Sequence, residues 1–300
     1  MTEERKQEIL EIIRNTNRRP AQTGKPLYPE EIMAYPNLCE EMESISRTVD
    51  GFSYRMDILR AKNRGENCPL FINIHGGGFI GPHRENDTYF SAYMADQIHG
   101  ITVDLDYTLS DAAPYPVALH QCMDALDYVA EHANKWGASA KDISVGGYSA
   151  GGALTAAMGI CCAERGGFVP KLQILCYPPL EYRIPDQYKI DAYDRQIGME
   201  RCKAFADLYF DDKKENFEDI HNSPLYAPRE ILAKQPKTLI LSAGLCNFRY
   251  EDEDYAICLA DAGAEVILKR FPEASHGFIP HFMDGWKEAA DLMVREILEK

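Results

Sequence analysis

Gly147-Tyr148-Ser149-Ala150-Gly151 follows the β-branched run Ile143-Ser144-Val145 and precedes Gly152-Ala153-Leu154-Thr155-Ala156-Ala157, which has the marks of a helix. A serine in a Gly-x-Ser-x-Gly turn between strand and helix is placed to act as a nucleophile. Small residues flank it because the turn is tight, and the helix N-terminus behind it favours developing negative charge. A second glycine-rich stretch, His75-Gly76-Gly77-Gly78-Phe79, follows the apolar run Leu70-Phe71-Ile72-Asn73-Ile74. Three consecutive glycines cost backbone entropy, and close approach of bare N–H groups to a ligand oxygen gives a reason to keep them. The N–H of Gly76 or Gly77, with that of Ala150, is expected to hold the oxyanion of an acyl-transfer intermediate. His276, in Glu273-Ala274-Ser275-His276-Gly277-Phe278, follows a strand-like run ending at Phe271 and is the expected general base. His75 is read as holding the glycine loop. His83, His99, His120, His132, His221 and His281 are read as surface or packing residues.

These groups must sit at the ends of neighbouring strands. The apolar patterns predict strands over 52–60, 70–74, 101–105, 143–146, 172–177, 238–243 and 265–271. Helices are predicted over 3–14, 88–97, 116–136, after the Ser149 turn, and over 251–262 and 285–299. Strands alternating with helices of this length imply an α/β fold, a mostly parallel central sheet with helices on both faces. Residues 15–45, with Pro20, Pro26, Pro29 and Pro36, read as an irregular arm. Residues 181–222, rich in Tyr and charge, interrupt the alternation as an insertion over the strand ends. The expected division is an N-terminal arm or cap over 1–48, a core over 49–180 and 223–300, and a cap insertion over 181–222. The polar stretch Gly81-Pro82-His83-Arg84-Glu85-Asn86 is read either as a mouth for a polar alcohol, such as an acetylated sugar, or as a solvated loop.

The hydrophobic fraction of 45% and charged fraction of 26% are those of a globular protein, and no apolar run reaches the length of a membrane span. Met1-Thr2-Glu3-Glu4-Arg5-Lys6-Gln7-Glu8 has no apolar core behind it and does not read as a secretory signal. A net charge of −15 disfavours nucleic acid and anionic membrane as partners. Nine cysteines, without Cys-x-x-Cys or His-Glu-x-x-His spacing, imply free thiols in a cytoplasmic setting and no structural metal.

The chain resembles the hormone-sensitive-lipase family of α/β-hydrolases, in its bacterial esterase branch. The shared marks are His75-Gly76-Gly77-Gly78-Phe79, Tyr107-Thr108-Leu109 with Pro114-Tyr115-Pro116, Gly147-Tyr148-Ser149-Ala150-Gly151-Gly152, Ser223-Pro224-Leu225-Tyr226 and His276-Gly277-Phe278. They occur in family order over residues 50–282. The resemblance implies an α/β-hydrolase fold with a helical cap, cofactor-free hydrolysis of a small-molecule ester through an acyl-enzyme on Ser149, and a homodimer.

The family places its catalytic aspartate in Asp-Pro-Leu-Arg-Asp-Glu after an Ala-Gly-x strand end. Here Ala243-Gly244-Leu245-Cys246-Asn247-Phe248-Arg249-Tyr250-Glu251 puts Cys246 at that position. A displaced carboxylate, Glu251 first and then Asp252, is one expectation for the acid, Glu181 after the preceding strand is another, and a Ser149–His276 dyad without an acid is the third. Tyr148 replaces a family Asp and Thr108 a family Arg, and a supporting role is expected to change at Tyr148. The expected activity is that of a carboxylesterase on small, acetyl-like acyl esters. A ligand-binding protein on the same fold, and a peptidase or amidase, share these motifs.

Overall fold

The computed structural model describes residues 1–16, 28–184, 197–213 and 215–299. Pro20 and Pro26 of the expected arm and residues 185–196 of the expected insertion lie outside the described residues. The strands are β1 Glu43–Val49, β2 Phe52–Arg60, β3 Cys68–Ile74, β4 Ile101–Asp106, β5 Ala138–Tyr148, β6 Leu172–Cys176, β7 Lys237–Ala243 and β8 Val266–Phe271. They form one sheet in the order β1-β2-β4-β3-β5-β6-β7-β8. The pairs β1–β2 and β2–β4 are antiparallel and all others are parallel. The α-helices among the described residues are α1 Glu3–Asn15, α2 Glu30–Met33, α3 Glu85–Gln97, α4 Val117–His132, α5 Ala150–Arg165, α6 Met199–Tyr209, α7 Glu215–Glu218, α8 Arg229–Leu232, α9 Arg249–Ala262 and α10 Trp286–Leu298.

β3 shows why its sequence is nearly all apolar. Leu70, Ile72 and Ile74 join Leu119, Cys122, Leu126 and Val129 of α4 and Leu154 and Met158 of α5. Phe71 points the other way, to Phe90 and Tyr93 of α3 and Ala289, Met293 and Ile297 of α10. A strand buried on both faces has no polar side to display. Each large aliphatic side chain so buried contributes about 1.5–3 kcal/mol, so β3 is anchored firmly just before the glycine loop leaves it.

The sheet begins earlier than the sequence predicts. Residues Glu43–Val49 pair with Phe52–Ile58 of β2, although most of them fall in the span assigned to the arm. α1 packs against α6. Ile9 and Ile13 of α1 pack on Ala204 and Leu208 of α6, and Arg5 Nη2 lies 3.1 Å from Asp207 Oδ2. Thr2 caps α1 by accepting from the Arg5 N–H at 3.2 Å.

Candidate active site

Ser149 occupies a turn of one residue between β5 and α5, with φ 54° and ψ −121°. Such a backbone costs on the order of 1–3 kcal/mol and persists only where its surroundings enforce it. They do so here through close contact. A Cβ on Gly151 would lie 2.0 Å from the Ile74 carbonyl oxygen, so only glycine lets α5 start against the end of β3. The Ser149 N–H donates to the Cys176 carbonyl at 2.9 Å, tying the turn to β6.

The glycine loop arrives from β3. A Cβ on Gly76 would fall 2.7 Å from the Tyr148 carbonyl oxygen and 3.3 Å from the Ser149 Cβ. Among the described residues, no backbone carbonyl accepts from the N–H of Gly76, Gly77 or Ala150, the three expected oxyanion donors. His75 holds this loop. Its Nδ1–H donates to the Gly76 carbonyl at 2.7 Å, its ring stacks on Tyr107 at 4.3 Å, and the Tyr107 hydroxyl donates to the His75 carbonyl at 3.1 Å. Burial lowers the His75 imidazole to about 4, so it stays neutral.

His276 Nε2 lies 2.9 Å from Ser149 Oγ, within reach of the hydroxyl proton. On the other side of the ring, Nδ1 lies 3.0 Å from Cys246 Sγ. The Phe248 N–H also donates to that sulfur at 3.4 Å. Tyr177 and Phe248 meet the imidazole edge to face at 5.0 Å and 5.6 Å and fix its plane. For Nε2 to accept the Ser149 proton, the imidazole proton must sit on Nδ1 and point at sulfur, a weak acceptor. If the thiol donates instead, Nε2 carries the proton and Ser149 loses its base. A carboxylate would enforce the productive tautomer; a thiol does not. Burial, with a smaller push from His281, lowers the His276 imidazole to about 3.

None of the three carboxylates considered from sequence replaces Cys246 at Nδ1. Glu251 Oε2 accepts from the Leu180 N–H at 2.8 Å, so this side chain, in the first turn of α9, fastens the segment after β6. Asp252 is fully buried, and burial holds its carboxyl well above the usual carboxylate range, which disfavours the charged form an acid would need. Glu181 Oε1 accepts from the Ile184 N–H at 2.7 Å. Glu251 as the acid is therefore corrected. Its closeness in sequence to Cys246 does not survive the turn into α9, which directs the side chain to another loop.

Behind the Ser149 turn lies a buried polar chain. Asn73 Nδ2 donates to the Tyr148 hydroxyl at 2.8 Å and to Asp104 Oδ1 at 3.2 Å, and His83 Nε2 donates to Asp104 Oδ2 at 2.7 Å. Tyr148 thus takes the supporting role expected of it, by a different bond. His83, expected at the surface or in packing, is instead half of an ion pair whose Asp104 is fully buried. Burial disfavours its charge, but the Asp104 carboxylate prevails and raises the imidazole to about 9. A group raised above its unfolded value of about 6.5 stabilises fully below that value and loses its effect as pH rises through its folded value. His83→Gln keeps a donor for Asp104 but removes the charge. It should cost about 1–3 kcal/mol at pH 6 by denaturant unfolding, with the gap to the native chain closing above pH 9. An equal gap at both pH values would refute the charged pair.

Ser149 opens on two spaces. The larger is a cleft of about 470 Å³ whose wall includes Gly76, Arg84, Arg201, Phe205, His276 and His281. Gly81, Pro82 and Asn86 also line it, so the polar stretch after the glycine loop reaches the site. The smaller is a cavity of about 40 Å³ lined by Gly78, Ala150, Tyr182, Cys202, Phe205 and Phe248 among others. Phe205 and Ile197 reach both spaces from the insertion. Sequence reasoning missed Phe205, Tyr177 and Phe248. Phe205 lies on α6 at a position no catalytic motif marks, and an aromatic beside a motif reads as core.

The chain matches the sequence profile described as alpha/beta hydrolase fold over residues 71–280. It is 30% identical over 217 residues to "Esterase LipI" of Mycobacterium tuberculosis, covering 71% of this chain and 66% of that protein. It is 31% identical over 243 residues to "Carboxylic ester hydrolase LipN" of the same organism, covering 75% of this chain and 61% of that protein. The aligned part is thus less than two thirds of the length of these curated relatives. Among solved structures, the hyperthermophilic esterase from the archaeon Pyrobaculum calidifontis superposes with a TM-score of 0.81 at 24% identity, covering 99% of this chain and 98% of that one.

Proposed function

This chain belongs to the α/β-hydrolase family, in its hormone-sensitive-lipase-like branch, and on that premise we propose that it is a serine carboxylic-ester hydrolase working through an acyl-enzyme on small acyl esters. The observation that carries this is the Ser149 Oγ–His276 Nε2 pair at 2.9 Å beneath the glycine loop. Ser149 attacks the ester carbonyl as His276 takes its proton. The N–H groups of Gly76, Gly77 and Ala150 stabilise the oxyanion, and His276 returns the proton to the leaving oxygen. The leaving alcohol therefore occupies the space that contains His276, which is the large cleft. The acyl group takes the cavity of about 40 Å³. Its small size beside the large cleft suits a short acyl group such as acetyl.

The purified protein is expected to hydrolyse p-nitrophenyl acetate and to take up a fluorophosphonate at Ser149. A chain that does neither would overturn the reading. Cys246 in the acid's place favours a second reading, a protein that binds ligands in the same cleft without turning them over; labelling of Ser149 excludes it. The acyl assignment has its own test. Phe205 walls the small cavity, and a Cβ on Gly78 would meet its ring at 2.5 Å. Phe205→Ala should shift preference from acetate towards butyrate by about 10-fold in kcat/KM ratio, as expected for a methylene or two in an apolar pocket. An unchanged chain-length profile would place the acyl group elsewhere.

No helix among the described residues is long and apolar enough to cross a membrane. All nine cysteines are free thiols, which supports a reducing compartment such as the cytoplasm. A homodimer would use the open edge of β8, where Leu268 is exposed.

A further inference from the structure

We propose that the leaving alcohol carries an anionic group, a carboxylate or a phosphate, and that Arg84 receives it; this rests on the ester-hydrolase reading above. The described wall of the cleft beside His276 is rich in arginine on a negative protein. Among the described residues, its wall holds three arginines, Arg14, Arg84 and Arg201, and one carboxylate, Asp87. The chain as a whole has 47 acidic and 32 basic residues. At a distance a protein of net charge −15 repels anions, and only nearby cations can offset this within a Debye length.

Two of the three arginines have structural work. Arg201 donates to the Ile13 carbonyl and lies over the Phe205 ring at 4.9 Å, joining α6 to α1. Arg14 lies in the last turn of α1, where a cation suits the helix dipole. Arg84 has no such use. It is the N-cap of α3, the positive end of a helix, where a guanidinium is opposed by the dipole. The cap is made without its side chain, because the Arg84 backbone N–H donates to Asp87 Oδ2 at 2.9 Å. Asp87 Oδ1 accepts from Asn86 Nδ2 at 3.3 Å. Among the described residues, no carboxylate forms an ion pair with the Arg84 guanidinium, although carboxylates are plentiful in this chain.

An arginine kept half-buried at the wrong end of a helix becomes favourable when an anion arrives. The guanidinium offers a two-pronged fork that matches carboxylate or phosphate, and the helix N-terminus beside it adds to the attraction. The acyl side is small and apolar, so the anion belongs on the alcohol. The class of substrate is the acetylated hydroxy acid, sugar acid or phosphorylated alcohol.

Three aryl acetates test this: methyl 4-acetoxybenzoate, 4-acetoxybenzoate and 4-acetoxyphenyl phosphate, each rate normalised to its rate with hydroxide. The expected result is a kcat/KM at least about 10-fold higher for an anionic ester than for the neutral one, falling in high salt. The carboxylate and phosphate arms tell the two sources of charge apart. In Arg84→Gln the anionic-to-neutral ratio should drop to near one, and Arg84→Lys should keep part of it. Because the ratio is taken within one sample, the fraction of folded protein cancels. A native ratio of one or less, or a ratio that survives Arg84→Gln, overturns the proposal while the neutral ester is still hydrolysed. If none of the three esters is hydrolysed, the ester-hydrolase reading fails and this inference with it.

Discussion

Cys246→Asp should raise kcat/KM for p-nitrophenyl acetate by about 10²–10³-fold. The sulfur already occupies the place an acid would take, 3.0 Å from His276 Nδ1 and within reach of the Phe248 N–H at 3.4 Å. An aspartate there finds both donors waiting. It locks the proton on Nδ1, frees Nε2 for Ser149, and stabilises the imidazolium that forms as Ser149 attacks. Removing the acid from a complete triad costs about 10⁴-fold, which sets the ceiling. The thiol supplies part of the orientation already, so the gain falls below it. The pH profile gives a second readout. A base must be neutral to act, and the native His276, lowered to about 3, is neutral throughout the usual range. The native rate should therefore show no acid limb near pH 6–7. Its low basicity also makes it a poor proton acceptor. In Cys246→Asp the new carboxylate raises the imidazole, and an acid limb should move up towards neutrality. Cys246→Asn, which has neither charge nor comparable basicity, should leave both rate and limb close to native. A Cys246→Asp enzyme with native rate and native profile would show that Cys246 is not the acid's position.

Much of this site was legible because its parts are local. The Ser149 turn and the glycine loop each lie within five consecutive residues, and strain or close approach forces their composition. Gly151 against the Ile74 carbonyl is an example: the contact admits no side chain, so the glycine is visible in sequence. The parallel strands were visible for a related reason, since burial on both faces leaves unbroken apolar runs such as β3. β1 was not. Glu43-Ser44-Ile45-Ser46-Arg47-Thr48-Val49 is the outermost strand, with only Ile45, Arg47 and Val49 half-buried, too weak an alternation to stand out from the preceding arm. The His83–Asp104 pair joins residues 21 apart on different elements, and nothing local announces it. The acid was misplaced for a geometric reason. Glu251 is five residues from Cys246, but α9 starts between them at Arg249, and its first turn sends Glu251 to the Leu180 amide.

The strength of the Ser149–His276 pair should itself depend on residue 246, which makes Ser149→Ala informative in two backgrounds. In a hydrolase with a complete triad, loss of the serine or histidine alone costs about 10⁶-fold, and loss of the acid alone about 10⁴-fold. The serine and histidine without their acid are thus worth on the order of 10²-fold over what the oxyanion donors and binding provide. Ser149→Ala in the native chain should cost about that much. In Cys246→Asp it should cost about 10⁴-fold, because the carboxylate acts only through His276 on Ser149. His276→Ala should match Ser149→Ala in each background, and the double variant should be no worse than either single one, since the two groups work as a unit. The denaturant-unfolding midpoint and folded fraction of each preparation correct for misfolded protein, since variants without Ser149 or His276 cannot be titrated at the serine. Additive losses, or a Ser149→Ala penalty that does not grow when Asp replaces Cys246, would mean that residue 246 and Ser149 do not communicate through the imidazole.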